Sequence, residues 1–256
     1  MSKPFLIINH HRSGSNFLCR VIKENKKVRC LNEPLSMHMD FFKKHDLEIM
    51  DKARLVSKLD VNESAYLQRL KIYLDETPTI TGFKETGLFG KMDWVFQYFE
   101  GIKIIYLVRN PLAVVNSCLR DDMWKQWNYE VVINNYCNSS NIITSPFELC
   151  VKSWKIRYNL FETEMRKKDY LVVRLEDLVF EPKSTLYKVM NYIGSDVTKQ
   201  QVELINNSYL SERGKNYSIY RNKEKILNDW KRTLGEEQIE YIKRELSFEM
   251  QKLGYI

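Results

Sequence analysis

The chain has 256 residues, and its 40 Lys and Arg exceed its 33 Asp and Glu, for a formal net charge of +7. This length suits one domain with a sizeable core, and the composition excludes a disordered tail, a low-complexity linker and a repeat protein. The basic residues are dispersed, which suits an anionic small ligand and argues against a nucleic-acid-binding arm.

Cysteine and histidine usage argues against a metal site and a disulfide framework. The five cysteines include no CxxC pair, and the four histidines complete no zinc pattern with them. We therefore expect reduced, partly buried thiols and no bound metal. Apolar stretches such as IKIIYLV are too short to span a bilayer, and the first residues lack a secretory pattern. A cytoplasmic protein without membrane insertion is the expectation.

The alternation of strand-like and helix-like patterns along the chain predicts its architecture. Strands are predicted at 5–9, 28–31, 79–83, 103–108 and 170–174. Helices are predicted at 16–24, 91–99, 112–119, 146–167, 183–193 and 236–253, with a helical pattern over 35–74 that can break near 60–64. Two segments, 121–144 and 211–228, are predicted as irregular. Alternating elements with short connections favour an α/β fold, with a central parallel sheet between helices, in one domain over 1–256.

The first strand runs directly into a polar turn, HHRSGSN, and then into a helix. A helix N-terminus presents unpaired N–H groups, and Arg12 adds a permanent cation, so the turn between Arg12 and Asn16 predicts an anion-binding loop. The ATP-binding pattern G-x-x-x-x-G-K-[ST] is absent, because only Gly14 is present and no lysine follows it. The alternative is a serine helix cap at Ser13 or Ser15 beside a surface arginine.

A second turn of this kind follows the strand at 103–108. In VRNPLAVVNS, Arg109 ends the strand and Ser117 follows eight residues later on the next helix. This pair could hold a second phosphate, although an ordinary helix start with a surface arginine has the same pattern. Both turns follow the carboxyl ends of parallel strands, so we expect them at one edge of the sheet.

Together these residues resemble the sulfotransferase family. RSGSNFL is similar to the family's 5′-phosphosulfate loop, and YLVRNPLAVVNS is similar to its 3′-phosphate motif, RxPxxxxxS. Three further segments agree in order along the chain: VRCLNEPLS, VRLEDLVFEPKSTLYKVMNYIG and ILNDWKRTLGEEQIEYIKRELSFEMQKLGY. The resemblance covers almost the whole chain. It implies a three-layer, P-loop NTPase-like fold and the donor 3′-phosphoadenosine 5′-phosphosulfate, with adenosine 3′,5′-bisphosphate as product.

The resemblance also implies which residues bind the donor. Arg12, Ser13, Gly14, Ser15, Asn16 and Phe17 match the 5′-phosphosulfate loop, and Arg109 and Ser117 match the 3′-phosphate pair. The segment before the final helix folds over the nucleotide in this family. Within that segment, 211–231, the candidates are Arg221, Lys223 and Lys231.

Glu33 is the candidate general base, because it lies twenty-one residues after Arg12, as does the catalytic glutamate of the tyrosylprotein and some carbohydrate sulfotransferases. An acceptor hydroxyl must lose its proton as its oxygen attacks sulfur, and a carboxylate beside Arg12 would stay ionised. GFKETG lacks the histidine that serves as base in the aryl and steroid branch, which favours the glutamate branch. Glu85 is the second choice, and a turn at a strand end is the alternative for Glu33.

The remaining candidates lie around the predicted acceptor side. Lys84 follows the strand at 79–83 and could face the cleft together with Glu85. His10 and His11 could relay a proton or bind a metal, although the plainer interpretation places one against the helix behind the loop and the other at the nucleotide edge. The acceptor-side loop 121–144 carries the aromatic residues Trp124, Trp127, Tyr129 and Tyr136. These could line an acceptor pocket or simply pack the loop.

The function predicted is transfer of a sulfuryl group from 3′-phosphoadenosine 5′-phosphosulfate to an acceptor hydroxyl on a sugar, an alcohol or a protein or small-molecule aryl group. No metal and no nucleic-acid partner are expected, and the oligomeric state is left open. Two alternatives remain. One is a P-loop-type small-molecule kinase, and the other is a non-catalytic module that binds nucleotides or sulfated glycans.

Overall fold

The computed structural model describes residues 3–38, 61–126, 145–208 and 222–256. In these ranges the sheet has five strands: β1 (Phe5–Asn9), β2 (Val28–Asn32), β3 (Ile80–Glu85), β4 (Lys103–Val108) and β5 (Tyr170–Arg174). Their spatial order is β2-β3-β1-β4-β5, and every pair is parallel. The carboxyl ends of all five strands therefore lie at one edge of the sheet.

Helices connect the strands and cover the sheet. They are α1 (Ser15–Lys23), α2 (Pro34–His38), α3 (Val61–Glu76), α4 (Met92–Tyr98), α5 (Pro111–Arg120), α6 (Met123–Gln126), α7 (Pro146–Met165), α8 (Leu175–Phe180), α9 (Pro182–Ile193), α10 (Lys199–Ser208), α11 (Lys223–Asn228), α12 (Trp230–Thr233), α13 (Glu236–Glu245) and α14 (Ser247–Lys252). None of these helices combines the length and the apolar character that a membrane span requires.

The core lies on both faces of the sheet because alternate residues of a strand point to opposite sides. On β1, Leu6 and Ile8 pack with Tyr106 and the helix α7 on one face. Phe5 and Ile7 pack on the other face with α1 and α9. All five residues of β1 are buried, as expected for a central strand covered on both sides. The predicted α/β fold with three layers is confirmed.

Most predicted elements are confirmed, with differences at their ends. β3 continues to Glu85, so Lys84 and Glu85 belong to the strand. The single helix predicted at 236–253 is two helices, which meet at Leu246. The prediction of an irregular segment is wrong for 223–228, where the Asn222 side chain accepts hydrogen bonds from the Glu224 and Lys225 amides and caps α11. The helices α8, α10 and α12 were not predicted, and α6 contradicts the prediction of an irregular segment at 123–126.

Several sequence predictions concern residues outside the described ranges. Most of the predicted acceptor-side loop and the first part of the predicted covering segment are among these residues. The cysteines within the described ranges are free, buried thiols: Cys19, Cys30, Cys118 and Cys150.

Candidate active site

The turn between β1 and α1 has the geometry of an anion-binding loop. Its backbone enters the left-handed region twice, at Arg12 (φ 67°) and at Gly14 (φ 84°). Gly14 is the residue that precedes α1, and no side chain caps this helix end, so the alternative of a serine cap is not observed. A Cβ atom on Gly14 would lie 2.8 Å from Leu175 Cδ1, so another residue type would have to displace Leu175 and also adopt a positive φ.

Unused donors face this loop. The first hydrogen bonds of α1 run from the Phe17 and Leu18 amides to the Gly14 carbonyl, so the amides of Ser15 and Asn16 precede them. Ser13 Oγ is buried and has no hydrogen-bond partner within the described part of the chain. A buried hydroxyl without a hydrogen-bond partner destabilises the folded chain unless a ligand or water forms a hydrogen bond with it. The loop therefore fits an oxyanion group, which would accept hydrogen bonds from these donors.

The second turn meets the first, as the strand order predicts. Arg109 follows β4, and its Nη1 donates to the carbonyl oxygen of Arg12 at 3.0 Å. Arg12 Nε donates to Ser117 Oγ on α5 at 2.9 Å. Both arginine side chains are largely buried. The two cationic groups and the hydroxyl are thus joined in one network at the carboxyl edge of the sheet.

Three further charged residues, Asp121, Arg120 and Asp229, join this network and were not predicted. Arg12 Nη2 lies 2.5 Å from the Asp121 carboxylate, just after α5. Arg120 also approaches this carboxylate, with its Nε 3.3 Å from Asp121 Oδ1, and its Nη1 donates to Asp229 at 2.9 Å. The network therefore contains carboxylates as well as guanidinium groups.

Glu33 lies at the end of β2 and is held by two neighbours on β3 and just after it. Lys84 Nζ is 2.5 Å from Glu33 Oε1, and Thr86 Oγ1 donates to the same oxygen at 3.2 Å. Lys84 is 2% exposed and also donates to Asn16 Oδ1 at 3.1 Å, so it links the carboxylate to the anion loop. The Glu33 side chain remains 31% exposed. It is thus an oriented carboxylate with access to solvent.

Glu85 points away from this carboxylate because neighbouring residues of β3 face opposite sides of the sheet. Its Oε2 accepts hydrogen bonds from the amides of Leu35 (3.1 Å) and Ser36 (3.3 Å), and the Ser36 hydroxyl donates to its Oε1. Burial raises the pKa of Glu85 to about 7. The side chain holds the start of α2.

The two histidines of the turn are buried. His10 Nε2 lies 2.7 Å from Tyr106 Oη, and the imidazole stacks on Trp154 with ring centroids 4.8 Å apart. Burial, and next the charge of Arg157, lower the pKa of His10 well below its ordinary value. His10 is therefore a neutral residue of the core, as the plainer interpretation held. His11 is 6% exposed beside it.

The sequence of this chain matches a known protein family. The family model described as Sulfotransferase family matches residues 4–199, which is most of the chain. The chain belongs to the sulfotransferase family. It is thus a transferase, and sulfuryl transfer is the general activity of the family. Comparison with curated proteins gives no match.

Solved structures of other sulfotransferases have a similar fold. The sulfotransferase domain of the curacin biosynthetic pathway is 16% identical, covers 96% of this chain and 98% of its own, and has a TM-score of 0.58. The domain of the Synechococcus PCC 7002 olefin synthase is 17% identical, with coverage of 97% and 96% and a TM-score of 0.61. Mouse sulfotransferase SULT7A1, complexed with PAP, is 15% identical, with coverage of 97% and 85% and a TM-score of 0.59. At these identities the likeness concerns the fold.

The segment before the final helices contacts the site of this sulfotransferase through one backbone carbonyl and through side chains. Arg109 Nη2 donates to the Ile226 carbonyl of α11 at 2.6 Å, and Thr233 Oγ1 donates to Asn116 Oδ1 of α5 at 2.8 Å. Both predicted lysines lie over aromatic rings. Lys223 lies over the Phe180 ring at 5.0 Å, and Lys231 lies over the Trp230 ring at 5.6 Å. Arg221 is outside the described residues.

The aromatic residues of the predicted acceptor side are only partly described. Trp124 on α6 packs against the core, and Lys125 Nζ lies 5.1 Å from the centroid of its ring. Trp127, Tyr129 and Tyr136 lie outside the described ranges. Sequence reasoning did not identify Asp121 or Arg120 as site residues. Their position directly after the Arg109–Ser117 motif was the signal that could have found them.

Proposed function

We propose that this sulfotransferase transfers a sulfuryl group from 3′-phosphoadenosine 5′-phosphosulfate to an acceptor hydroxyl, with Glu33 as general base. One observation carries the proposal. Arg12, Arg109 and Ser117 come from different elements and converge at the carboxyl edge of the sheet, beside an oriented carboxylate. This arrangement suits a ligand with two separate anionic ends next to a proton acceptor.

The residues present fit the two ends of this donor. The loop from Arg12 to Phe17 would hold the 5′-phosphosulfate through the α1 amides, the orphaned Ser13 hydroxyl and the Arg12 guanidinium. Arg109 and Ser117 would hold the 3′-phosphate, which distinguishes this donor from ordinary adenylates. The PAP in the mouse relative supports the same nucleotide class here. Lys223, Lys231 and Arg221 remain proposed contacts of the covering segment.

The chain's own residues supply positioning and charge stabilisation. When bound, the donor supplies an electrophilic sulfur and a phosphate leaving group. Arg12 and the loop amides stabilise the negative charge that develops on the leaving oxygen as the S–O bond breaks. Glu33 receives the proton of the acceptor hydroxyl as its oxygen bonds to sulfur. Lys84 and Thr86 orient the Glu33 carboxylate for this transfer.

The acceptor is a hydroxyl compound that reaches the exposed face of Glu33. His11, Lys84, Trp124 and Trp127 are proposed to line its path, with Glu85 as the second candidate base. The donor and these side chains would perform the reaction without a metal. The single-domain organisation and the cytoplasmic location stay predictions from the sequence.

Calorimetry tests this proposal directly. Adenosine 3′,5′-bisphosphate should bind the protein without Mg²⁺, and Arg109→Ala should weaken binding by at least about 30-fold, since a buried charge contact of this kind is worth about 2 kcal/mol or more. Ser117→Ala should weaken it less. The same protein with labelled donor and a panel of hydroxyl acceptors should yield a sulfated product.

Two results would contradict the proposal. Tight, Mg²⁺-dependent ATP binding without bisphosphate binding would favour a kinase. Bisphosphate binding with no transfer to any acceptor class, and no effect of Glu33→Gln, would favour a non-catalytic binding module.

A further inference from the structure

The Arg12 guanidinium forms an ion pair with a carboxylate of the chain itself. Asp121 Oδ2 lies 2.5 Å from Arg12 Nη2, and the two side chains are 11% and 6% exposed. Its Nε also donates to Ser117 Oγ at 2.9 Å. An arginine engaged in this way cannot offer its full bidentate fork to an incoming phosphate or sulfate.

Asp121 stands where its charge is otherwise unfavourable. It is the C-terminal capping residue of α5, and the C-terminal end of a helix carries a partial negative charge that disfavours carboxylates. Among the described residues, Arg12 and Arg120 are the cations paired with Asp121, and they offset this repulsion. The helix end alone therefore gives no reason for a carboxylate at this position.

The charges of the site are already largely balanced by the chain. Three guanidinium groups lie in the network, those of Arg12, Arg109 and Arg120, against the carboxylates of Asp121 and Asp229. Counted over these five described residues, the network keeps one net positive charge, although the proposed donor carries anionic groups at both ends. Removal of one carboxylate from Arg12 would double the positive charge that the donor meets.

We propose that Asp121 competes with the donor and the bisphosphate product for Arg12, and so sets their affinity and speeds product release. This inference rests on the proposed function. Asp121 has a second cationic partner when it leaves Arg12, because Arg120 Nε already lies 3.3 Å from its Oδ1. The exchange replaces a carboxylate on Arg12 by the oxyanion of the ligand, and no covalent bond changes.

The test is the affinity for adenosine 3′,5′-bisphosphate in Asp121→Asn and in the matched control Asp122→Asn. Asn keeps the shape and the acceptor oxygen of Asp121 and is compatible with a helix end. Asp122 is the neighbouring carboxylate, is 59% exposed and pairs with Lys125 at 3.1 Å, so its removal changes the net charge equally without touching Arg12.

We expect Asp121→Asn to bind the bisphosphate about tenfold more tightly at low salt, with a correspondingly slower dissociation in stopped-flow displacement. Asp122→Asn should change the affinity by less than about twofold. Circular dichroism and thermal melting check that both variants fold. Asp121→Ser, which also lacks the charge, provides a second variant with the same expected direction.

Weaker binding by Asp121→Asn would overturn the inference, because it would make Asp121 a residue that positions Arg12 for the ligand. Equal affinities of wild type and Asp121→Asn would overturn it as well. A failure of the proposed function looks different: the wild type itself would then bind no bisphosphate. If the wild type binds and the variant gains nothing, only the role of Asp121 is refuted.

Discussion

Glu85 allows a quantitative test of the packing beside the site. Its carboxyl group is fully buried and contacts the first amides and the Ser36 hydroxyl of α2. Burial raises its pKa from 4.5 to about 7. Glu85→Gln keeps an acceptor for the α2 amides and removes the titrating group, so the difference in unfolding free energy between variant and wild type should depend on pH.

The sign follows from proton binding in the two states. Below pH 4.5 the carboxyl group is protonated in the folded and the unfolded chain, and it adds no pH dependence. Between pH 4.5 and about 7 the Glu85 carboxyl group loses its proton in the unfolded chain but keeps it in the folded chain. The wild type therefore loses stability as the pH rises. At about 1.4 kcal/mol per pH unit, this loss reaches about 3 kcal/mol at pH 8. The glutamine variant escapes it.

Urea unfolding followed by tryptophan fluorescence at several pH values from 4 to 8 measures this difference. The stability of Glu85→Gln relative to the wild type should rise by about 3 kcal/mol over this range, most steeply between pH 5 and 7. Glu100→Gln, at an exposed position, is the control and should give a flat difference. A flat difference for Glu85→Gln would refute the reasoning, since it would mean that the buried carboxyl group ionises as readily as an exposed one.

Three further substitutions test the site and the sheet. Glu33→Gln should lower kcat by about 100-fold or more while bisphosphate affinity in calorimetry stays within about twofold; an equal loss in both would make Glu33 a binding residue. Gly14→Ala must adopt φ 84° and displace Leu175, so it should weaken bisphosphate binding and cost about 1–2 kcal/mol in urea unfolding, whereas unchanged binding would contradict the loop assignment. Gly82→Ala would bring a Cβ within 2.3 Å of the Phe5 carbonyl on β1, and should lower stability by about 2 kcal/mol or more; a stable variant with an unchanged melting temperature would contradict this packing.

Much of the fold could be predicted because each strand and most helices have a local pattern. β1, β4 and β5 have the predicted ends, since each apolar run stops at a polar residue or a turn. The predicted end of β3 was too early because Lys84 and Glu85 look like loop residues, yet Lys84 is paired with Glu33 and Glu85 accepts hydrogen bonds from α2. Had the strand been predicted to continue to Glu85, the alternation of side chains along it would have placed Lys84 and Glu85 on opposite faces of the sheet.

Local patterns place each of the two arginine-bearing turns after a strand, and this was sufficient to predict one shared edge and a family resemblance. Which side chains meet at that edge depends on the packing of distant elements. Arg12 contacts Ser117 and Asp121, more than a hundred residues away, because β1 and β4 are neighbours in the sheet. His10 became a core residue for the same reason. A local pattern depends on nearby residues and can be read from them, whereas the partner of a charged side chain depends on how distant elements pack.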